Sequence, residues 1–362
     1  MAGLDRRFVG WGASVFVLVL AILGPLALLG KFTTLEFSYV WAFAIAIIGL
    51  NLVIGFCGQI SLGNSAFMAV GGYCTAIMAL RWGWSPLATI PVSAGLATIG
   101  GILLGIPALK LKGLYLGVAT FALAFSVPSV IRHFDAFTGG SQGIFITGAG
   151  KDPFGLVNSG QLTSEQWLYY LGLVLLVAFF LFTRALLRSD VGRAMRAVRD
   201  GETVAQAHGV NLTYYKTLAF ALSALMAGVA GSLDAMATSY VGPDSFDVTV
   251  ALALLVGAAV GGLGTLVGPI PGALFYVWVP LYAQQIYKGR PDIAYGVFLI
   301  LLMYFMPQGA VGGFFRMVGL RDRIRQRLVA APEPAAGGTA QTTLSSRGLA
   351  PPRVDDPVSG KK

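Results

Sequence analysis

The sequence predicts an all-α fold: a polytopic transmembrane helical bundle of about ten spans, with Gly/Pro-broken helices and both termini in the cytoplasm. Three observations carry this. First, only 11% of the 362 residues are charged and 56% are hydrophobic, whereas a soluble domain carries about 25% charged residues. Second, the stretches 8–30, 37–80, 82–109, 113–131, 166–183, 217–233, 248–287 and 293–315 contain no Asp, Glu, Lys or Arg. A helix needs about 20 apolar residues to cross a bilayer, and two of these stretches have double length. Third, basic residues cluster where such stretches end, at Arg184, Arg188, Arg193, Arg196 and Arg199 and again at Arg316, Arg321, Arg323, Arg325 and Arg327. That is the pattern of cytoplasmic loops.

Taken in order, the spans alternate consistently. The N-terminus with Arg6 and Arg7 starts inside, and span one (about 11–30) leads out. It ends in Leu28-Leu29-Gly30-Lys31 without a small-x-small cleavage site, so it reads as an uncleaved span rather than a signal peptide. Span two (about 39–56) returns, span three (about 64–80) leads out, and span four (about 86–107) returns to Lys110 and Lys112. Span five (about 113–131) opens into the long segment 132–165, rich in Gly, Ser and Thr. Span six (about 166–184) returns to the first arginine cluster, and span seven (about 216–238) leads out. The uncharged 248–287 stretch goes in and back, and span ten (about 292–307) reaches the second cluster. An even number puts both clusters on one side; nine would separate them. Residues 1–315 thus form a membrane domain, 316–329 a basic cytoplasmic helix, and 330–362, rich in Pro, Ala, Gly, Ser and Thr, a disordered cytoplasmic tail.

The composition excludes several classes. Cys57 and Cys74 both fall inside apolar runs, which rules out a disulfide-stapled exterior. With these and only His133 and His208, no Cys/His zinc site can be assembled. The net charge of +9 sits at span ends, which points to membrane lipid and not to nucleic acid.

Two segments break the helical pattern with glycine. One runs from Asn51 through Gly55, Gly58, Gln59, Ser61 and Gly63 to Asn64; the other holds Gly257, Gly261, Gly262, Gly264, Thr265, Gly268, Pro269, Pro271 and Gly272. Irregular backbone at membrane depth must face protein or a watery path, and paired broken segments point to a translocation site. Close helix packing through small residues is the competing explanation for any one glycine. The polar Asn51, Gln59 and Ser61 tilt the first segment towards a translocation role.

The stretch 189–211 differs in kind. Arg193, Arg196 and Arg199 recur at helical spacing and give a charged face, Gly201 separates a second short helix, and Gly209 suits a C-cap. A docking element for a cytosolic partner is preferred over an interfacial helix on anionic lipid.

These pieces, in this order, resemble the LivM-type permease subunits of branched-chain amino acid ABC importers over roughly residues 45–315. The motifs are Asn51-Leu52…Gly55…Gly58-Gln59…Ser61-Leu62-Gly63…Ala66-Phe67…Gly71-Gly72-Tyr73, then Leu111-Lys112-Gly113…Tyr115…Ala119-Thr120 and Thr138-Gly139-Gly140-Ser141…Gly143-Ile144. Gly192-Arg193-Ala194…Arg196-Ala197, Ala227-Gly228…Ala230-Gly231, Gly242-Pro243-Asp244-Ser245-Phe246 and Gly261-Gly262-Leu263-Gly264-Thr265…Gly268-Pro269 follow.

The resemblance implies a non-enzymatic transport subunit in a bacterial inner membrane. Its partners would be a second, LivH-like permease, two ABC ATPase subunits and an extracytoplasmic binding protein. The coupling segment would be Glu202-x-x-Ala205-x-x-x-Gly209 with Arg193 and Arg196, and Thr120 would join the translocation path. This chain has no Gly-x-x-x-x-Gly-Lys-Ser/Thr loop, so it binds no cofactor, and ATP and Mg belong to the partners. Asn64, Gly72 and Gln142 depart from the usual residues, and Asn64 and Gln142 bear on substrate choice.

Single residues are weighed alongside. Asp234 is the one carboxylate deep in an apolar pattern, either functional or interfacial. Asp244 is expected to hold its turn through side-chain-to-backbone bonds, and the two histidines are ordinary helix-end or loop residues. Gly63-Asn64-Ser65-Ala66 is no nucleophile turn, since no histidine lies inside a span to activate Ser65. Two other functions stay open: an ABC permease for urea, short amides or other small organic solutes, and an ion-coupled secondary transporter or channel. The near absence of charge within the spans weighs against the latter.

Overall fold

The computed structural model describes residues 30–108, 111, 113–146 and 162–286, with the single positions 296, 300, 304 and 309. The expected first span apart from Gly30, the expected tenth span apart from three single positions, the basic helix 316–329 and the tail 330–362 lie outside the described residues.

Helix α1 (Lys31–Asn51) runs directly into a π-helical turn, Leu52–Phe56. It is followed by α2 (Asn64–Trp82), α3 (Pro86–Ala108), α4 (Leu114–His133) and the single turn α5 (Asp135–Thr138). Then come α6 (Ser164–Arg188), α7 (Asp190–Asp200), α8 (Glu202–Ala207), α9 (Leu212–Thr238), α10 (Val248–Gly261) and α11 (Pro269–Ile286). Six described segments, Lys31–Phe56, Pro86–Ile106, Leu114–His133, Ser164–Arg188, Leu212–Thr238 and Pro243–Gly261, are long and apolar enough to cross a membrane. The chain is an all-α, multi-pass membrane protein.

Local chemistry sets the helix starts. Thr163 and Gln166 form a capping box at the start of α6, Asn211 accepts from the Tyr214 amide to open α9, and Asp247 accepts from the Val250 amide to open α10. Gly83, at φ +64°, closes α2.

Helix α9 forms the centre, with α1, α2 and α3 packed around it. Lipid is as apolar as a leucine side chain, so close van der Waals packing must hold such helices together, and small residues permit it. A methyl group at Gly71 would overlap the Gly228 carbonyl, and one at Gly231 would overlap the Met68 carbonyl. Gly105 lies beside Thr217 and Ala97 beside Gly228, so α3 runs antiparallel to α9.

At the end of the bundle away from residues 189–211, β1 (Ile144–Phe145) pairs antiparallel with β2 (Tyr240–Val241). The Tyr240 hydroxyl donates to the Gln142 carbonyl at 3.3 Å. Here one expectation is corrected. Asp244 holds its turn by pairing with Arg132 at the end of α4 (2.7 Å), while Ser245 Oγ accepts from the Gly242 amide (3.1 Å) and caps the backbone. A side chain facing a guanidinium forms a charge-assisted bond that a backbone N–H cannot match. Cys57 and Cys74 are buried free thiols.

Candidate functional site

The first break begins where α1 widens its register. After Asn51 the hydrogen bonds lengthen to a π pattern, with the Cys57 amide donating to the Leu52 carbonyl (3.1 Å), and beyond it the Gln59 amide donates to the Val53 carbonyl (3.0 Å). Such turns concentrate at functional sites. The chain then unwinds over 57–63 and doubles back. The Leu62 amide donates to Thr120 Oγ1 at 2.9 Å. Asn64 Nδ2 donates to the Ala46 carbonyl (3.3 Å), and Asn64 Oδ1 accepts from Ser223 Oγ (3.0 Å). Ala46 lies ten residues before Phe56 along the same helix, about 15 Å at 1.5 Å per residue. Gln59, Ser61, Asn64 and Thr120 are all buried, whereas Gly58 and Ile60 between them are exposed, so the irregular segment is covered on one side only.

The second break, between the end of α10 at Gly261 and the start of α11 at Pro269, meets the first. Asn51 uses both ends of its amide there: Nδ2 donates to the Thr265 carbonyl at 2.6 Å, and Oδ1 accepts from the Gly264 amide at 2.8 Å. Gly55 lies so close that any side chain would overlap Asn51 Oδ1 and the Gly264 nitrogen. Gly264 itself has φ +74°, a conformation glycine adopts without strain. Thr265 Oγ1 ties the loop internally by donating to the Gly262 carbonyl (2.7 Å).

The polar helices dock on this junction. Gly201 separates α7 from α8, and Gly209 (φ +81°) ends α8 in a Schellman motif, with Gly209 N–H on Gln206 O and Val210 N–H on Ala205 O, each at 3.0 Å. The apolar underside, Met195, Val198 and Ala205, joins Leu52, Phe56 and Phe220 in one buried cluster. Arg193 and Arg196 stay exposed; Arg193 pairs with Asp190, and Arg196 Nη2 donates to the Leu187 carbonyl at 2.9 Å.

Arg199 behaves differently from its two neighbours in the series. Its Nη1 donates to the Gly55 carbonyl of the first break at 2.6 Å, while the residue stays exposed with the rest of the charged face. Glu202 also turns inward. Its Oε1 accepts from Lys216 Nζ at 2.6 Å and from Gln59 Nε2 at 3.1 Å, and the Lys216 side chain is only 2% exposed.

The structure therefore gathers Asn51, Gly55, Gly58, Gln59 and Gly264 at one point, with Ser61, Gly63 and Thr120 following along the doubled-back chain and Gly261 and Gly262 closing α10. Arg193, Arg196 and Gly209 lie on the exposed side of the hairpin, and Ala205 on its buried side. Three residues absent from the sequence-based site, Arg199, Lys216 and Ser223, complete it. Lys216 had one visible signal, as the last charge before the uncharged run 217–233.

A family model described as branched-chain amino acid transport system / permease component matches residues 34–307. The high-affinity branched-chain amino acid transport system permease protein LivM of Escherichia coli (strain K12) is 29% identical over 318 residues, covering 82% of this chain and 73% of that protein. The probable branched-chain amino acid transport permease protein LivM of Methanocaldococcus jannaschii is 28% identical over 239 residues, 60% of this chain and 66% of that one. The high-affinity branched-chain amino acid transport system permease protein LivH of Salmonella typhimurium is 24% identical over 290 residues, 75% and 91% respectively. No solved structure matches the chain.

Proposed function

Because the chain belongs to the family of branched-chain amino acid transport system permease components, we propose that it is the membrane permease subunit of an ATP-driven importer for branched-chain or related hydrophobic amino acids. It works in a bacterial inner membrane, with about ten spans within residues 1–315 and both termini in the cytoplasm. A second, LivH-like permease completes the pore. Two ATPase subunits carrying ATP and Mg dock on the cytoplasmic side, and an extracytoplasmic binding protein delivers substrate. Residues 316–329 form a basic cytoplasmic helix, and 330–362 a cytoplasmic tail.

The observation that carries this reading is the shared junction. Asn51 ties the two glycine breaks to each other, and the polar hairpin holds the first break at two points, Gly55 through Arg199 and Gln59 through Glu202. A movement imposed on α7 and α8 is therefore imposed on the broken helices that bound the path. The outward side of the hairpin, with Arg193, Arg196, exposed Val204 and Gly209, supports docking of the ATPase subunits. Asn51, Gly55, Gly58, Gln59, Ser61, Gly63, Thr120, Gly261, Gly262 and Gly264 bound the path.

Uptake of labelled leucine by the complete complex in proteoliposomes tests the proposal. Leucine uptake that requires ATP and the binding protein is the expected result. Uptake of labelled urea in its place would move the substrate to small organic solutes. Uptake by this chain alone, driven by an ion gradient, would sink the importer reading. A cysteine introduced at Arg193 is expected to react with an impermeant maleimide only from the cytoplasmic face.

A further inference from the structure

We infer that Lys216 is a positioning residue for coupling: with Gln59 it holds Glu202, so that α8 and the unwound 57–63 segment move as one body. The inference rests on the importer reading and adds to it, since the coupling segment as read from its motif assigns Glu202 to the ATPase side.

The geometry assigns Glu202 to the membrane domain. Three elements meet at its carboxylate: α9 through Lys216 Nζ (2.6 Å), the unwound segment through Gln59 Nε2 (3.1 Å), and α8, which Glu202 itself begins. Lys216 is 2% exposed, so an outward swing of Glu202 would strand a buried ammonium, and a buried charge left without its partner is strongly disfavoured. The two donors converge on the same carboxylate oxygen, and from Gln59 the connection continues. Gln59 lies on the same doubled-back stretch as Leu62, whose amide is held by Thr120 of α4. The pull of α8 thus passes through Gln59 towards the helix pair α2 and α4. Below this polar contact, Ala205 seats α8 on Leu52 and Phe56. The apolar seat supplies attraction without direction, and the charged contact fixes the angle.

The test uses the complete complex in proteoliposomes and reads uptake per ATP hydrolysed, together with retention of the ATPase subunits. K216M and E202Q are each expected to lower uptake per ATP about tenfold, the scale of coupling between residues in contact, while the ATPase subunits still co-purify. The double variant K216M/E202Q should be no worse than the poorer single variant, and K216R should restore the ratio. Unchanged uptake per ATP in K216M, or losses that multiply in the double variant, would overturn the inference. Should K216M fail to assemble, Q59L removes one bond without stranding a charge, and it must lower the same ratio or the inference falls. If the wild-type complex moves no amino acid, the importer reading fails by itself. Hydrogen exchange of residues 202–207 then judges Lys216 independently, with faster exchange in K216M supporting its role and unchanged exchange refuting it.

Discussion

Two ion pairs sit at opposite ends of this molecule, and they differ in everything except chemistry. Lys216 and Glu202 are 2% and 27% exposed, whereas Arg132 and Asp244 are 47% and 76% exposed, at nearly the same separation (2.6 and 2.7 Å). In water the attraction is screened and roughly cancelled by the entropy of holding two long side chains, so an exposed pair is worth about 0–1 kcal/mol. Lys216 lies under protein, and leaving that buried charge without Glu202 costs about 3–5 kcal/mol. The end that receives the polar hairpin is therefore rigid by construction. The end bearing the short β-ribbon can rearrange at small cost.

The comparison can be broken in three places. Glu202→Ala, which strands the buried Lys216, should produce the largest loss, about 3–5 kcal/mol of stability, read as a fall in the denaturation midpoint in detergent. A smaller loss would mean that water reaches the pair. Asn51→Ala should cost about 1–3 kcal/mol for each backbone group left unpaired, here the Gly264 N–H and the Thr265 carbonyl. Arg132→Ala should cost at most about 1 kcal/mol, and less at high salt. A large, salt-independent loss would show the two ends to be alike.

Much of this was legible in the sequence. The uncharged runs marked the helices, Gly201 and Gly209 marked the ends of the short polar helix, and both glycine breaks were located to within a few residues. Their meeting was not legible, because nothing in the spacing of Asn51 says which backbone its amide will bind some two hundred residues on. The partner of Arg199 was hidden for a related reason. Its three-residue spacing from Arg196 and Arg193 describes a helix face, yet a long side chain at the edge of that face can reach either water or the Gly55 carbonyl. Lys216 marked a helix end correctly and its partner not at all. Asp244 was given a local partner because turn carboxylates commonly bind their own backbone, and only tertiary structure brings Arg132 within reach.

The central helix adds one more consequence. Helix α9 has 27 residues, nearly all of them buried in its membrane part, and its faces are cut so flush by alanine and glycine that no neighbour leaves it room to bow. Such a rod, about 40 Å long at 1.5 Å per residue, answers a shove at Lys216 by sliding or tilting as a whole, and the ribbon strand that begins two residues beyond its other tip, at Tyr240, shifts with it. A displacement at one end of α9 would reach the other end through a single piece of backbone, with no relay of side chains between.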